Sequence, residues 1–397
     1  MPRNSSPDQP WFAHLLDESR PWRSRTLLPL KPEDAHFAYW RQKETPKTFN
    51  TPDALEAQIK KPGAGQDSMI ATPDYPRWYP TIFLWKPDDS KPMPLHLLAK
   101  PLLISIALTI AYLMRDQILP RVGRDVEMMI LLALMWFGIT PFFDALNQWW
   151  DSVKDRSPDR NRQQQVDIVL FRYWLAKASP WILYILLAVL SAIYLIQTQT
   201  SPRGVLTSVD AAALYKPQVA KGEWWRLITT GMMHGSIMHL LFNSMAVFYL
   251  GRVTLSLVQT PLLGLIFLAS IIAGSLASYY CMPGDRSVGA SGGILGILGF
   301  LTALAVYHTS GFPRVVRANL MQSLLLMSIF GALGAQYIDN AAHAGGFIMG
   351  TLLAVLLIPR TIKVWEYQTP KWLEMLGWAC WLVLAVSTLH VAWILLA

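Results

Sequence analysis

The residues of this chain whose types suggest chemistry are a serine, two histidines and an asparagine inside apolar stretches. Ser291 stands in RSVGASGGILGILGF and His343 in YIDNAAHAGGFIMG. His239 and Asn243 stand in GMMHGSIMHLLFNSMAVFYLG. Their spacing of four residues places them about 40° apart on one face of a helix. Polar groups at membrane depth are costly unless they are satisfied, so each of these side chains is a candidate site residue.

These residue types suit nucleophilic catalysis. A serine hydroxyl is a weak nucleophile, and a neighbouring imidazole must take its proton. Ser291 and His343 fit such a pair because glycines follow each of them and let two helices approach closely. His239 and Asn243 would then donate to the oxyanion of a tetrahedral intermediate. The alternative interpretation is that Ser291 is a small packing residue and His343 a structural hydrogen-bonding residue.

Two further polar residues receive other roles. His234 is five residues before His239, about 140° away around a helix, so we expect it to act elsewhere, in packing or in pinning a loop. The same spacing argues against a two-histidine metal site. Asp339 is one turn before His343, and we expect it to cap the start of a helix rather than complete a catalytic triad. No metal site is therefore predicted.

The composition indicates that a bilayer surrounds most of the chain. Of its 397 residues, 53% are hydrophobic and 15% are charged, whereas about 25% charged residues are usual. Lys100, Pro141 and Asp144 interrupt the first two apolar stretches, for which an interfacial position is the alternative. Stretches long enough to cross a hydrocarbon core are 92–114, 128–148, 181–197, 232–251, 261–281, 289–308, 318–337, 341–358 and 376–396.

Basic residues in the connections predict the orientation. Twelve Lys and Arg residues lie on one side of the last seven spans and five on the other. The positive-inside rule makes the more basic side cytoplasmic. The three spans with candidate site residues alternate along the chain, so all of these residues are predicted near the non-cytoplasmic side. The net charge of +8 does not indicate nucleic-acid binding, because the basic residues form no patch interleaved with aromatic residues.

At these residues the sequence resembles the rhomboid family of intramembrane serine proteases. The resemblance rests on GASG around Ser291, DNAAHAGG with His343, HGSIMHLLFN with His239 and Asn243, and GEWWRL before that span. It implies a Ser291–His343 dyad. It also implies an oxyanion hole formed by His239, Asn243 and the Ser291 amide.

The resemblance implies an all-α, polytopic membrane helical bundle. A six-helix core would be followed by a C-terminal seventh span and preceded by two extra N-terminal helices. Trp225 and Arg226 match the motif of a loop that supports the active site. Leu295 departs from the family, which often has an aromatic residue there against the catalytic histidine, so we expect altered positioning of His343 and not inactivity.

The predicted domain organisation has five parts. Residues 1–91 show no sustained helical or alternating period of apolar residues, and we expect them to be poorly packed. The parts are a polar Pro/Trp-rich cytoplasmic extension at 1–91, two membrane or interfacial helices at 92–150, a basic cytoplasmic linker at 151–180, the rhomboid core at 181–360, and a linker with a transmembrane helix at 361–397.

The predicted function is hydrolysis of a peptide bond in or near a transmembrane segment of another membrane protein, through an acyl-enzyme and without a cofactor. The predicted partners are substrate transmembrane segments and the lipid bilayer. Substrate segments with glycine, proline or small polar residues are expected because they unwind easily. One alternative is a catalytically silent rhomboid-like protein that binds membrane clients, which the presence of Ser291 and His343 disfavours. The other is a transporter, which the scarcity of intramembrane charge disfavours.

The expected location is a bacterial inner membrane, with the N-terminus in the cytoplasm and the active site opening to the other side. The first 56 residues contain eight acidic residues, which does not fit an acid-poor organelle presequence.

Overall fold

The computed structural model describes residues 37–41, 46–59, 68–72, 75–80, 99–114, 130–131, 133–154, 167, 171, 174–175, 178–200, 205–335, 338–362 and 364–397. The chain divides into two compact units, one built mainly from the N-terminal extension and the other from the helices.

A small antiparallel sheet forms within the N-terminal extension. Tyr39, Met69 and Ile70 of the sheet are buried, as are Leu55 and Ile59 of the helix that follows its second strand. The prediction of a poorly packed extension is therefore wrong for these residues. Strands of three to six residues give too few repeats for a period to stand out in the sequence. The elements are β1 (Phe37–Arg41), β2 (Lys47–Phe49), α1 (Pro52–Ile59), β3 (Ser68–Thr72) and β4 (Tyr75–Pro80), in sheet order β2-β1-β3-β4.

The second unit is helical. A π-helix at Leu134–Ile139 leads into its second helix. Its helices are α2 (Ala99–Leu113), α3 (Thr140–Lys154), α4 (Trp181–Thr200), α5 (Val205–Ala212), α6 (Lys216–Ala220), α7 (Arg226–Thr229), α8 (Ile237–Leu257), α9 (Thr260–Cys281), α10 (Ser291–Tyr307), α11 (Arg314–Leu333), α12 (Asn340–Leu357) and α13 (Lys371–Leu396).

Six of these helices are long and apolar enough to cross a membrane, namely α4, α8, α9, α11, α12 and α13. The shorter apolar helices α2 and α10 have 15 and 17 residues. The prediction of a multi-pass membrane helical bundle is confirmed for this unit.

Several predicted bounds shift. The span expected at 232–251 begins at Ile237, because residues 230–232 form a 3-10 turn and Ser236 caps α8 by accepting from the His239 amide at 3.2 Å. The span expected at 318–337 begins four residues earlier, at Arg314. The span expected to end at 148 continues as α3 to Lys154. Most of the predicted linker 151–180 lies outside the described residues.

Helices α9, α10 and α12 pack backbone against backbone. A Cβ atom at Gly346 would collide with the Gly292 carbonyl, and one at Gly350 with the Gly296 carbonyl. A Cβ atom at Gly299 would meet the carbonyl of Phe347. Small residues at membrane interfaces permit this close approach. The glycines that follow Ser291 and His343 therefore bring α10 and α12 together.

Helix α11 packs against the two helices that precede the core. The Tyr112 hydroxyl of α2 donates to the Leu333 carbonyl at 2.7 Å. Gln322 of α11 donates to the Asp144 carboxylate at 2.7 Å and accepts from the Asn147 amide at 2.9 Å. The two N-terminal helices, which lie outside the resemblance, therefore support α11.

Helix α13 packs against the start of α9. The Trp381 indole donates to the Thr260 carbonyl at 3.0 Å, and a Cβ atom at Gly377 would collide with the Pro261 carbonyl. The C-terminal span is therefore part of the bundle.

Candidate active site

His239 and Asn243 lie at the beginning of α8. His239 is half-buried in the first turn, and Asn243 is buried one turn later. Because the residues are four apart on one helix, their side chains point in similar directions. The structure thus places this predicted pair on one helix face.

Gly289 lies where the side chains of His239 and Asn243 contact the segment that precedes Ser291. Its φ is +123°, a conformation that favours glycine. A Cβ atom there would lie 2.6 Å from His239 Cε1 and 3.4 Å from Asn243 Nδ2. The imidazole and the amide therefore lie against the turn that is two residues before Ser291.

Ser291 is the first residue of α10 and is half-buried. The first N–H groups of a helix have no intrahelical acceptor, and the helix dipole makes this end partly positive. This end of α10 is therefore suited to an anion.

The first turns of α10 and α12 lie next to each other. A Cβ atom at Gly292, which follows Ser291, would lie 3.7 Å from the carbonyl oxygen of Ala342, which precedes His343. His343 itself is half-buried in the first turn of α12. The contacts that join the two helices thus run through the chain neighbours of Ser291 and His343.

Asp339 caps α12, as predicted. Its Oδ1 accepts from the Ala342 amide at 2.8 Å, while its Oδ2 accepts from the Ser278 hydroxyl of α9. The cap residue thereby fastens the start of α12 to a neighbouring helix. Sequence reasoning missed Ser278, because its partner is 61 residues away.

The interpretation of His234 was wrong in one respect. His234 lies outside α8, in the segment before it, so the helical angle between it and His239 does not apply. Its ring centroid is 5.2 Å from that of His239, and its Nε2 is 3.1 Å from Asn243 Nδ2. The expectation that it acts away from His239 and Asn243 is therefore wrong, and it is the Gln197 side chain that holds this segment, through two hydrogen bonds to the His234 backbone.

Arg226 is buried in the connection between α4 and α8. Its Nη1 donates to the carbonyls of Asp210 and Ala213, both at 3.0 Å, and its Nε donates to Glu223 at 2.6 Å. The guanidinium lies 4.6 Å from the Trp225 ring centroid. The Trp225 ring in turn contacts His390 of α13 edge-on, with centroids 4.9 Å apart.

The same connection is bonded to the segment just before Ser291. Two short strands, β5 (Leu214–Tyr215) and β6 (Arg286–Ser287), pair antiparallel. Thr230 accepts from the Gly289 amide through its carbonyl at 3.0 Å, and its hydroxyl donates to the Ser287 carbonyl at 2.7 Å. The sequence carried no evident signal for these contacts, which depend on residues 57 or more apart.

Ser291 at the start of α10, the possible hydrogen-bond donors His239 and Asn243, and the helix that bears His343 all lie at one end of a membrane bundle. Such a set has the components of acyl transfer: a nucleophile, a base and donors for an oxyanion. Within the described part of the chain, no group of three His, Cys, Asp or Glu residues is placed to hold a metal ion. Fold and site define a polytopic membrane protein with a serine-centred candidate site.

Comparison with known proteins gives the family. The Rhomboid domain model matches residues 221–360, which include all four candidate site residues. YdcA of Bacillus subtilis, a rhomboid protein by name, is 30% identical over 152 residues, which are 38% of this chain and 76% of YdcA. The chain belongs to the rhomboid family.

Two longer relatives are matched in part. Rhomboid protease GluP of Bacillus subtilis is 31% identical over 199 residues, which are 50% of this chain and 38% of GluP. RHOMBOID-like protein 4 of Arabidopsis thaliana is 32% identical over 166 residues, 41% of this chain and 42% of that protein. The chain thus spans less than half the length of these two relatives.

Proposed function

We propose that this protein is an intramembrane serine endopeptidase with Ser291 as nucleophile and His343 as general base. The observation that carries the proposal is the meeting of His239 and Asn243 at Gly289, two residues before a serine that starts a helix. A packing serine would not require two polar side chains to converge beside it. Membership of the rhomboid family and the name of the relative GluP support the same activity.

The proposed reaction has two halves. His343 takes the proton of the Ser291 hydroxyl while the oxygen attacks the scissile carbonyl carbon. His239, Asn243 and the Ser291 amide donate to the resulting oxyanion. The C–N bond then breaks, His343 gives its proton to the leaving amine, and an acyl-enzyme remains on Ser291. Water, activated by His343, releases the acid and restores the serine.

The proposed substrates are transmembrane segments of other membrane proteins. A helical backbone protects its peptide bonds by internal hydrogen bonds, so segments with glycine, proline or small polar residues should unwind into the site most easily. By resemblance to the family, the residue at the cleaved bond is small. We place the site at the non-cytoplasmic side of the membrane, on the basis of the basic connections.

Reconstitution with labelled transmembrane substrates tests the activity. The native protein should cleave at least one member of a panel, and Ser291→Ala should abolish cleavage while retaining the thermal stability and substrate binding of the native protein. A fluorophosphonate probe should label native Ser291. Cleavage by the Ser291→Ala variant at the native rate would refute the proposal, and binding without cleavage by the native protein would support the silent client-binding alternative.

Reporter fusions test the orientation separately. Fusions after Gln197 and within the connection at 281–288 should be non-cytoplasmic, and fusions near Arg314 and Lys363 should be cytoplasmic. The opposite pattern would place the site at the inner face of the membrane.

A further inference from the structure

We propose that His234 is a positioning residue that orients the Asn243 amide toward the oxyanion. The inference rests on the proposed function, because it gives His234 a part in the reaction of Ser291. His234 lies in the segment between the 3-10 turn and α8 and is fully buried. In this proposal His234 does not contact the substrate; it acts by positioning the Asn243 amide.

The backbone of His234 is held from another helix. Gln197, at the C-terminal end of α4, is fully buried, as is His234. Its amide nitrogen donates to the His234 carbonyl, and its amide oxygen accepts from the His234 N–H, both at 3.2 Å. A buried side chain that satisfies both backbone groups of one residue fixes that residue in place. His234 therefore presents its ring from a rigid anchor.

The ring of His234 contacts the nitrogen of the Asn243 amide. His234 Nε2 lies 3.1 Å from Asn243 Nδ2. An amide nitrogen can only donate, so the proposed arrangement has Nε2 as the acceptor and the ring proton on Nδ1. Burial, followed by the neighbouring His239, lowers the pKa of His234 to about 3, which keeps the Nε2 lone pair available.

The amide nitrogen of Asn243 lies between His234 and the Gly289 turn. It has two protons, and the bond to His234 uses one of them. The same nitrogen is 3.4 Å from the position of a Cβ atom at Gly289. The second proton is therefore available on the side of the turn before Ser291. Without an acceptor at His234, the amide could rotate and present its oxygen to the oxyanion, which would be repulsive.

Three substitutions at His234 separate this role from packing. His234→Ala should lower kcat for a labelled transmembrane substrate about 10- to 100-fold with little change in KM, because the amide is needed in the transition state. His234→Gln can place an acceptor near the position of Nε2, whereas His234→Asn reaches only about as far as Nδ1. The Gln variant should therefore keep more activity than the Asn variant.

A double-mutant cycle with Asn243→Ala is the decisive measurement. If His234 acts through Asn243, His234→Ala should lower kcat no more than about threefold once the amide is absent. His308→Ala is the matched control, since His308 is also buried but lies after the opposite end of α10. That variant should keep the native kcat even where it lowers the melting temperature.

The outcomes are distinguishable. Losses that multiply fully in the double variant, or equal activity of folded Gln and Asn variants, would overturn the role of His234 while leaving the protease intact. A native protein without Ser291-dependent cleavage would overturn the proposed function, and the role of His234 with it. Variants are compared only after thermal melting shows that they are folded. If His234→Ala does not fold, the Gln and Asn variants alone decide between the two roles.

Discussion

The helices that carry Ser291 and His343 are held together differently from α11. Helices α10 and α12 touch through backbone atoms, with glycines of each helix against carbonyls of the other. Helix α11 is joined to its neighbours by single side chains, such as Gln322 to α3 and Asn340 of α12 to the Gly331 carbonyl at 2.9 Å. Backbone contacts leave no room for adjustment, whereas side chains can rotate away. The helices of the candidate site thus meet through backbone atoms, whereas the side-chain bonds of α11 can be removed one at a time by substitution.

The largest expected effect comes from inserting a side chain between α10 and α12. Gly346→Leu should destabilise the fold by about 3 kcal/mol or more and abolish cleavage, because even a Cβ atom meets the Gly292 carbonyl. Thermal melting in detergent and substrate cleavage measure the two effects. Gly284→Ala is the control, since a Cβ atom there meets nothing within 4 Å. A stable and active Gly346→Leu variant would show that the backbone contact is not required.

A change at the turn before Ser291 should affect turnover more than stability. Gly289→Ala forces a Cβ atom to within 2.6 Å of His239 Cε1, so we expect cleavage to fall about 100-fold. Gly222→Ala is a matched control, because Gly222 also has a positive φ of +105° but has open space around it. Both variants carry backbone strain, and only the first displaces the imidazole. Equal loss of cleavage in the two would attribute the effect to strain alone.

Loosening α11 should have a smaller effect. Gln322→Leu removes the bonds to Asp144 and Asn147, each worth about 0.5–1.5 kcal/mol, and should lower the melting temperature. Cleavage should stay within about threefold of native, since Ser291 keeps its surroundings. Ser328→Ala is the control, because its hydroxyl bonds only to Leu324 of the same helix among the contacts described. A dead but folded Gln322→Leu variant would make α11 part of the catalytic scaffold.

Removal of the N-terminal extension should have the smallest effect. A chain that starts at Pro92 lacks the β1–β4 sheet and retains all four candidate site residues. The removed segment contains none of the candidate site residues, so cleavage of a short detergent-solubilised substrate should stay within a few-fold of native. Rates of the two purified proteins, both checked by thermal melting, provide the comparison. A folded but inactive truncation would indicate coupling from the extension to the site.

The length of the apolar stretches and the polar residues within them were enough to predict most of the membrane-spanning part. The spans followed from runs of about 20 apolar residues, and the placement of His239 and Asn243 on one helix followed from their spacing. The cap at Asp339 was also evident, because aspartate is a preferred residue before a helix. These features are local, so the sequence contains them directly.

Contacts between distant residues were not predictable. His234 was misplaced because the sequence did not show that α8 begins at Ile237, after this histidine. Gln197 is 37 residues from His234, and the sheet pairs Tyr39 with Ile70. Neither pairing leaves a periodic trace in a single sequence, since each depends on how separate elements pack.

The contact between Trp225 and His390 bears on the order in which the scaffold is completed during synthesis. His390 is made after Ser291 and His343, and α13 is the helix that supplies this neighbour to the connection around Arg226. A nascent chain that has just inserted its candidate site residues therefore still lacks one side of that support. The order of synthesis therefore completes this support only once α13 has been made.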